Sequence, residues 1–239
     1  MWQYPPRSIL VAVDFGEASA RALRVAQAMA ARHGSAITAI HAETIEVPPY
    51  FTHDQLREVE RHRAGTRRAA QLYLERFVHE SAPGAATLLV DGPAVPAVLA
   101  AATRHDLVVL GTHGRRGPSL WWVGSVAERV VRDSPVPTLV VRAESAPSPG
   151  EQVFSQPVAV AGPEFHGEAR HYAENLAGSF GGTLAETPVG SLHDLTCAKD
   201  ASLMVVATGR HHGGSWFGDT AERLVRTCPL PMLFVPNRA

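Results

Sequence analysis

The chain has 239 residues, 22 Lys+Arg against 23 Asp+Glu, and a formal net charge of −1. That balance excludes a nucleic-acid footprint spread over the whole chain and a charge-driven membrane anchor. With 45% hydrophobic and 19% charged residues it reads as an ordinary globular protein long enough for one large or two small domains.

Taken in chain order, short β-branched runs alternate with helix-like segments, the pattern of β-α-β units and a parallel sheet. The first strand is expected over 9–13 and ends at Asp14; a helix follows over 18–32, with Gly34 as its stop. Strand two is expected over 36–41. After Pro48-Pro49 an amphipathic helix runs over about 54–80, with Leu56, Val59, Ala70, Tyr73, Leu74 and Phe77 at mostly three- and four-residue spacing. Strand three (87–90) closes at Asp91-Gly92-Pro93, a short helix covers 94–102, and strand four covers 107–110. A glycine-rich stretch then leads to a helix over 125–132 and strand five over 138–141.

Residues 1–143 therefore read as one complete domain. Residues 144–156 are Ser/Pro/Gly-rich and read as a linker. Residues 157–239 restart the pattern in shortened form. The segment 123–137 is matched without a gap by 217–231, Gly124 aligning with Gly218, and both share Ala-Glu-Arg and a Pro-x-Pro ending. The chain thus reads as a tandem duplication whose second copy has lost most of the long helix and one strand. The fold class is α/β: two open parallel sheets flanked by helices, the second copy shortened.

No apolar run reaches the roughly 18 residues of a membrane span, and the N-terminus does not read as a signal peptide. Two cysteines, Cys197 and Cys228, are too few for a disulfide framework and read as small buried residues, so a reducing, cytoplasmic location is expected. The basic residues are all Arg except Lys199, so there is no Gly-Lys-Ser/Thr phosphate loop. The twelve histidines are scattered, with no metal-binding spacing, and no protein-held metal is expected. The Arg-rich run 57–68 is interleaved with Glu58 and Glu60 and reads as the wet face of a helix.

Chemistry concentrates in Gly111-Thr112-His113-Gly114-Arg115-Arg116-Gly117-Pro118-Ser119-Leu120-Trp121-Trp122-Val123-Gly124-Ser125. A strand enters this stretch and a helix leaves it. In an open parallel sheet, ligands bind beyond the carboxyl ends of the strands. Glycines let backbone N–H groups approach an anion, and the helix N-terminus adds its dipole. Ser125 can cap that helix or donate to a phosphate. Asp14, at the end of strand one, can accept from ribose hydroxyls or cap the next helix. Arg115 and Arg116 read as solvated, and Trp121-Trp122 as cover for apolar surface.

Gly111-x2-Gly114-x9-Gly124-Ser125 resembles the ATP-binding signature of universal stress proteins. Val11-Ala12-Val13-Asp14 resembles that family's first strand, and Gly92-Pro93 its turn after strand three. The resemblance covers residues 6–142 and, more weakly, 157–236. It implies a Rossmann-like fold of the adenine nucleotide alpha hydrolase type. It also implies a stress-response module that binds ATP, with Mg²⁺ carried on the phosphates. Asp14 is then near the ribose, Ala42 near adenine, and Gly111, Gly114, Gly124, Ser125 and Val126 are around ribose and phosphates. Gly16 stands where many members have Ser. No catalytic residue is assigned. A slow ATPase and a structural protein without nucleotide are the alternatives.

The second copy lacks an acid after its first strand (Ala161-Gly162) and has Asp219 in place of Ser125. A carboxylate there repels phosphate, so this copy is not expected to bind ATP. In the family, final strands pair across two domains, and a fused tandem can do so internally. The expected partners are therefore ATP, an intramolecular pseudo-dimer and a homodimer, with no nucleic acid and no membrane.

Overall fold

The computed structural model describes residues 2–44, 53–112, 125–142, 152–155, 158–161, 168–186, 201–208, 228 and 230–236. The front half runs β1 (Ser8–Ala12), α1 (Glu17–His33), β2 (Ala36–Glu43), α2 (His53–Ser81), β3 (Ala86–Asp91), α3 (Ala94–Ala102), β4 (Leu107–Gly111), α4 (Ser125–Asp133) and β5 (Thr138–Val141). The described part of the rear half contains α5 (Gln152–Ser155), β6 (Val158–Ala161), α6 (Glu168–Ser179), β7 (Leu184–Glu186), β8 (Leu203–Thr208) and β9 (Met232–Pro236).

The described strands form one nine-stranded sheet in the order β3-β2-β1-β4-β5-β9-β8-β6-β7. Pairing is parallel throughout except between β5 and β9, where Thr138 faces Phe234 and Val140 faces Met232 in antiparallel register. The parallel sheets of the two halves are thus continuous through their final strands. From that junction outward, β9-β8-β6-β7 follows the same order as β5-β4-β1-β2, with no counterpart of β3 among the described residues.

The central strands are covered on both faces, which is why they read as unbroken apolar runs. Ile9 and Val11 of β1 join one core with Leu23 and Met29 of α1, Leu74 and Val78 of α2, Phe154 of α5 and Tyr172 of α6. Leu10 points the other way, into a second core with Val98 of α3 and Val130 of α4. Both cores run on into β8 and β9. Cys228 is buried in the second, and burial pushes its thiol up, away from the reactive thiolate. Cys197 lies outside the described residues.

The N-terminal segment crosses the seam between the halves. The Trp2 indole N–H donates to the Pro236 carbonyl at 2.6 Å. The Tyr4 hydroxyl meets Ser179 Oγ at 2.5 Å and His33 Nε2 at 3.1 Å, and its ring stands edge-on to Tyr172 at 5.1 Å. Arg32 Nε donates to the Ser179 carbonyl at 2.8 Å.

Two local expectations are revised. The stretch 144–156, read as a linker from its Ser/Pro/Gly content, contains the short helix α5. Its Val153 and Phe154 are buried, and Phe154 packs on Phe180 at 4.6 Å between ring centres. Average composition hides one adjacent apolar pair. On α2, Leu74 faces the core as expected, but Tyr73 is 48% exposed while Val78 is buried. The side chains of Leu56 and Val59 lie outside the described ones. Arg67 on the same helix pairs with Asp91 in an exposed bridge, as the wet-face reading anticipates.

Candidate nucleotide cleft

The cleft forms where the winding of the front sheet reverses. From β1 the chain passes through α1, on one face, to the neighbouring β2. It returns through α3, on the other face, to β4 on the opposite side of β1. The carboxyl ends of β1 and β4 lie at that reversal, the ordinary place for a ligand in an open α/β sheet.

A cavity of about 270 Å³ opens there. That is close to the lower end of the roughly 300–1,000 Å³ of small-molecule sites. Ile40 and Ala42 from β2, Ala94 and Val98 from α3 and Leu110 from β4 make it mainly apolar. Polar groups enter from Asp14, Ser19, His41, Thr112 and Ser125. Among the described residues no group of three or more His, Cys, Asp or Glu side chains is placed to hold a metal ion.

Asp14, Ala42, Gly111, Ser125 and Val126, named from sequence, all line this one cleft. Gly114 and Gly124 lie outside the described residues, as do His113, Arg115, Arg116, Trp121, Trp122 and the corresponding loop of the rear half with Asp219.

Asp14 does not cap α1 directly but holds the residue that does. Its Oδ1 accepts the Gly16 N–H at 2.9 Å. Gly16 is the extended residue that caps α1, with φ −86° and ψ 166° and no side chain of its own to do so. Oδ2 has no protein partner among the described residues and can accept from a ligand. Ser19 is 1% exposed, and its hydroxyl donates to the Gly16 carbonyl at 2.9 Å.

Gly111 is required for packing. A Cβ built on it would stand 2.6 Å from Ala18 Cβ, 2.8 Å from the Ala18 carbonyl carbon and 3.0 Å from Ser19 N. The start of α1 therefore lies directly on the end of β4, and only a residue without a side chain permits this. Gly92 answers a different need: its φ of 124° is open to glycine alone, and its N–H donates to the Glu43 carbonyl at 3.0 Å, turning the chain into α3.

Ser125 is exposed at the first position of α4, Val126 is half-buried and Ala127 is buried. The N-terminus of that nine-residue helix lies at the cleft, where the helix dipole favours an anion.

Ser19, His41, Thr112, Ala94 and Val98 were not picked out from sequence. The Ala94–Val98 spacing, one helical turn after Gly92-Pro93, was a usable signal. His41 was not, because strand alternation sets it on the opposite face from Ala42. It reaches the cleft because the cleft wraps the end of β2. Its Nδ1–H donates to the Val13 carbonyl at 2.7 Å, which fixes the tautomer.

The family model described as the Universal stress protein family matches residues 6–142, the segment that builds this cleft. The chain belongs to the universal stress protein family. It is 33% identical over 138 residues to a universal stress protein encoded in the QAH/OAS sulfhydrylase 3′ region of Thermus aquaticus, covering 57% of this chain and 98% of that one. A universal stress protein from Archaeoglobus fulgidus, known from its crystal structure, covers 98% of this chain and 99% of its own. Its TM-score is 0.66 at 14% identity, a likeness of fold that spans both halves. A universal stress protein solved in complex with cAMP covers 58% of this chain and 98% of its own, with 22% identity and a TM-score of 0.41. Among the described residues, no helix of this family member is long and apolar enough to cross a membrane.

Proposed function

We propose that the front half, residues 1–143, is an ATP-binding module and that its occupancy regulates a stress response in the cytoplasm. One observation carries the reading. Side chains from β1, β2, α3 and β4 converge with the N-terminus of α4 on a single cleft, and each part suits a different part of the nucleotide.

The apolar surface of Ala42 and Val98 suits a planar base. Asp14 Oδ2 accepts from ribose hydroxyls. The backbone N–H groups between Gly111 and Val126, Gly114 and Gly124 included, together with the Ser125 hydroxyl, suit phosphate oxygens at a helix start. Mg²⁺ arrives on the phosphates, since it keeps most of its waters and needs few protein ligands.

The rear half, residues 157–239, is a shortened copy joined through 144–156, the stretch that carries the short helix α5. It does not bind ATP, because Asp219 stands where Ser125 would donate and no acid follows β6. Its part is to pair its last strand with β5, as one subunit of a dimer would, and a homodimer of whole chains is a further level of assembly.

The test is to purify the chain without added nucleotide, analyse the denatured extract for adenine nucleotides, and titrate ATP with Mg²⁺ by calorimetry. One ATP per chain is expected. At a ligand concentration a hundred times Kd the fold gains about 2.7 kcal/mol, which raises Tm by roughly 5–10 °C. An empty extract with no thermal shift at millimolar ATP overturns the reading, and two ATP per chain overturns the assignment of the rear half.

A further inference from the structure

The turn that carries Asp14 is held by a group of aromatic rings. Phe15, between Asp14 and the cap Gly16, has φ of 64°. Bulky residues seldom occupy this left-handed region, and they stay there only where the surroundings over-determine the backbone. Here the surroundings are three rings. Phe15 meets His41 at 4.4 Å between centroids and 48° between planes, Tyr73 at 4.7 Å and 60°, and Phe77 at 5.5 Å and 89°. The last two are edge-to-face pairs, the arrangement that ring quadrupoles favour. His41 is tied to the strand before the turn through Val13. Tyr73 and Phe77 lie one turn apart on α2, and the contact with Phe15 gives the half-exposed Tyr73 a use that core packing does not.

The consequence for Asp14 is geometric. With Phe15 left-handed, the Gly16 N–H turns back onto Asp14 Oδ1 at 2.9 Å. That bond fixes the carboxylate rotamer. If Phe15 relaxed to an ordinary negative φ, the Gly16 N–H would swing away and the carboxylate would be free to rotate.

We propose that Phe15, clamped by His41, Tyr73 and Phe77, is a positioning residue for nucleoside recognition: its left-handed turn aims the second Asp14 oxygen at the ribose hydroxyls. The long helix α2 thereby takes part in the site without touching the nucleotide. This rests on the nucleotide reading of the cleft given above.

The experiment compares calorimetric dissociation constants for ATP and for 2′,3′-dideoxy-ATP, which lacks both ribose hydroxyls, in the wild type, Asp14→Ala, Phe15→Gly and Tyr73→Ala. The wild type prefers ATP by about tenfold or more, the scale of a hydrogen bond to a charged group. Asp14→Ala brings the ratio close to one. Phe15→Gly tolerates the left-handed turn but lacks the clamp. It lowers the ratio at least about threefold while dideoxy-ATP affinity stays within about twofold. Tyr73→Ala alters a half-exposed side chain, so it keeps the test open even if Phe15→Gly fails to fold, and it moves the ratio in the same direction. An unchanged ratio in the folded variants, or equal weakening of both nucleotides, overturns the positioning role. A wild type that binds neither nucleotide overturns the proposed function itself, so the two failures are distinct.

Discussion

Replacing Gly111 by alanine is the sharpest test of how the cleft is built. The added methyl would lie 2.6 Å from Ala18 Cβ and 2.8 Å from the Ala18 carbonyl carbon, against about 3.5–4.0 Å for carbons in contact. A gap of about 1 Å must therefore open between β4 and α1. Neither side yields cheaply. Ala18 and Ser19 are each 1% exposed, and Leu110 just before Gly111 is 2% exposed. Overpacking of this kind costs about 1–3 kcal/mol, which for a chain of this size lowers Tm by roughly 2–12 °C. The same shift moves Thr112 and the start of the glycine-rich stretch relative to Asp14, so ATP affinity falls as well. The assay is thermal unfolding by circular dichroism, with ATP calorimetry at a temperature where the variant is folded. Adding Ala18→Gly removes the 2.6 Å contact but leaves the backbone carbon at 2.8 Å, so the double variant recovers only part of the lost Tm. If Gly111→Ala melts within about 1 °C of the wild type, the close approach of α1 to β4 is wrong. Full recovery in the double variant would show that the side chain alone matters.

Asp14→Ala loses the bond to Gly16 and the ribose acceptor together: Tm falls by about 2–4 °C and ATP affinity by about tenfold or more, read by melting and calorimetry on the same sample. Ala42→Phe puts a ring into the cleft from the half-buried end of β2 and abolishes ATP binding in calorimetry, with Tm changed by only about 1–2 °C. Burial pushes the Tyr4 hydroxyl up from 10.0 to about 12, and burial raises Tyr172 as well. Because the folded state holds these protons more tightly, their contribution is complete below pH 10 and is lost as pH rises toward 12. Tyr4→Phe therefore flattens the alkaline fall in stability measured by urea unfolding. It also lowers stability at neutral pH by about 1 kcal/mol through the bonds lost to Ser179 and His33; an unchanged alkaline limb refutes the assignment.

Sequence alone determined the elements of the front half. Apolar runs at β1, β2, β4 and β5, the glycine at 34 and the Gly92-Pro93 turn are local signals, because strand alternation, left-handed φ and the loss of a proline N–H act within a few residues. The same locality made Asp14 and Ser125 legible as the ends of a strand and the start of a helix, and family resemblance added Ala42. What it could not supply was anything set by the approach of distant segments. Gly111 read as an anion-binding glycine, yet the contact that requires it is with Ala18, brought over by the crossing of α1. Phe15 carries no local signal, yet it meets rings from β2 and from α2, far along the chain. Phe154 sat in a stretch whose composition read as linker, and only packing against Phe180 shows it as core. The antiparallel pairing of β5 with β9, expected only by analogy with family dimers, joins residues nearly a hundred positions apart. Local sequence encodes which backbone conformations are cheap; which surfaces meet is decided by burying both faces of the sheet at once, and that is a property of the whole chain.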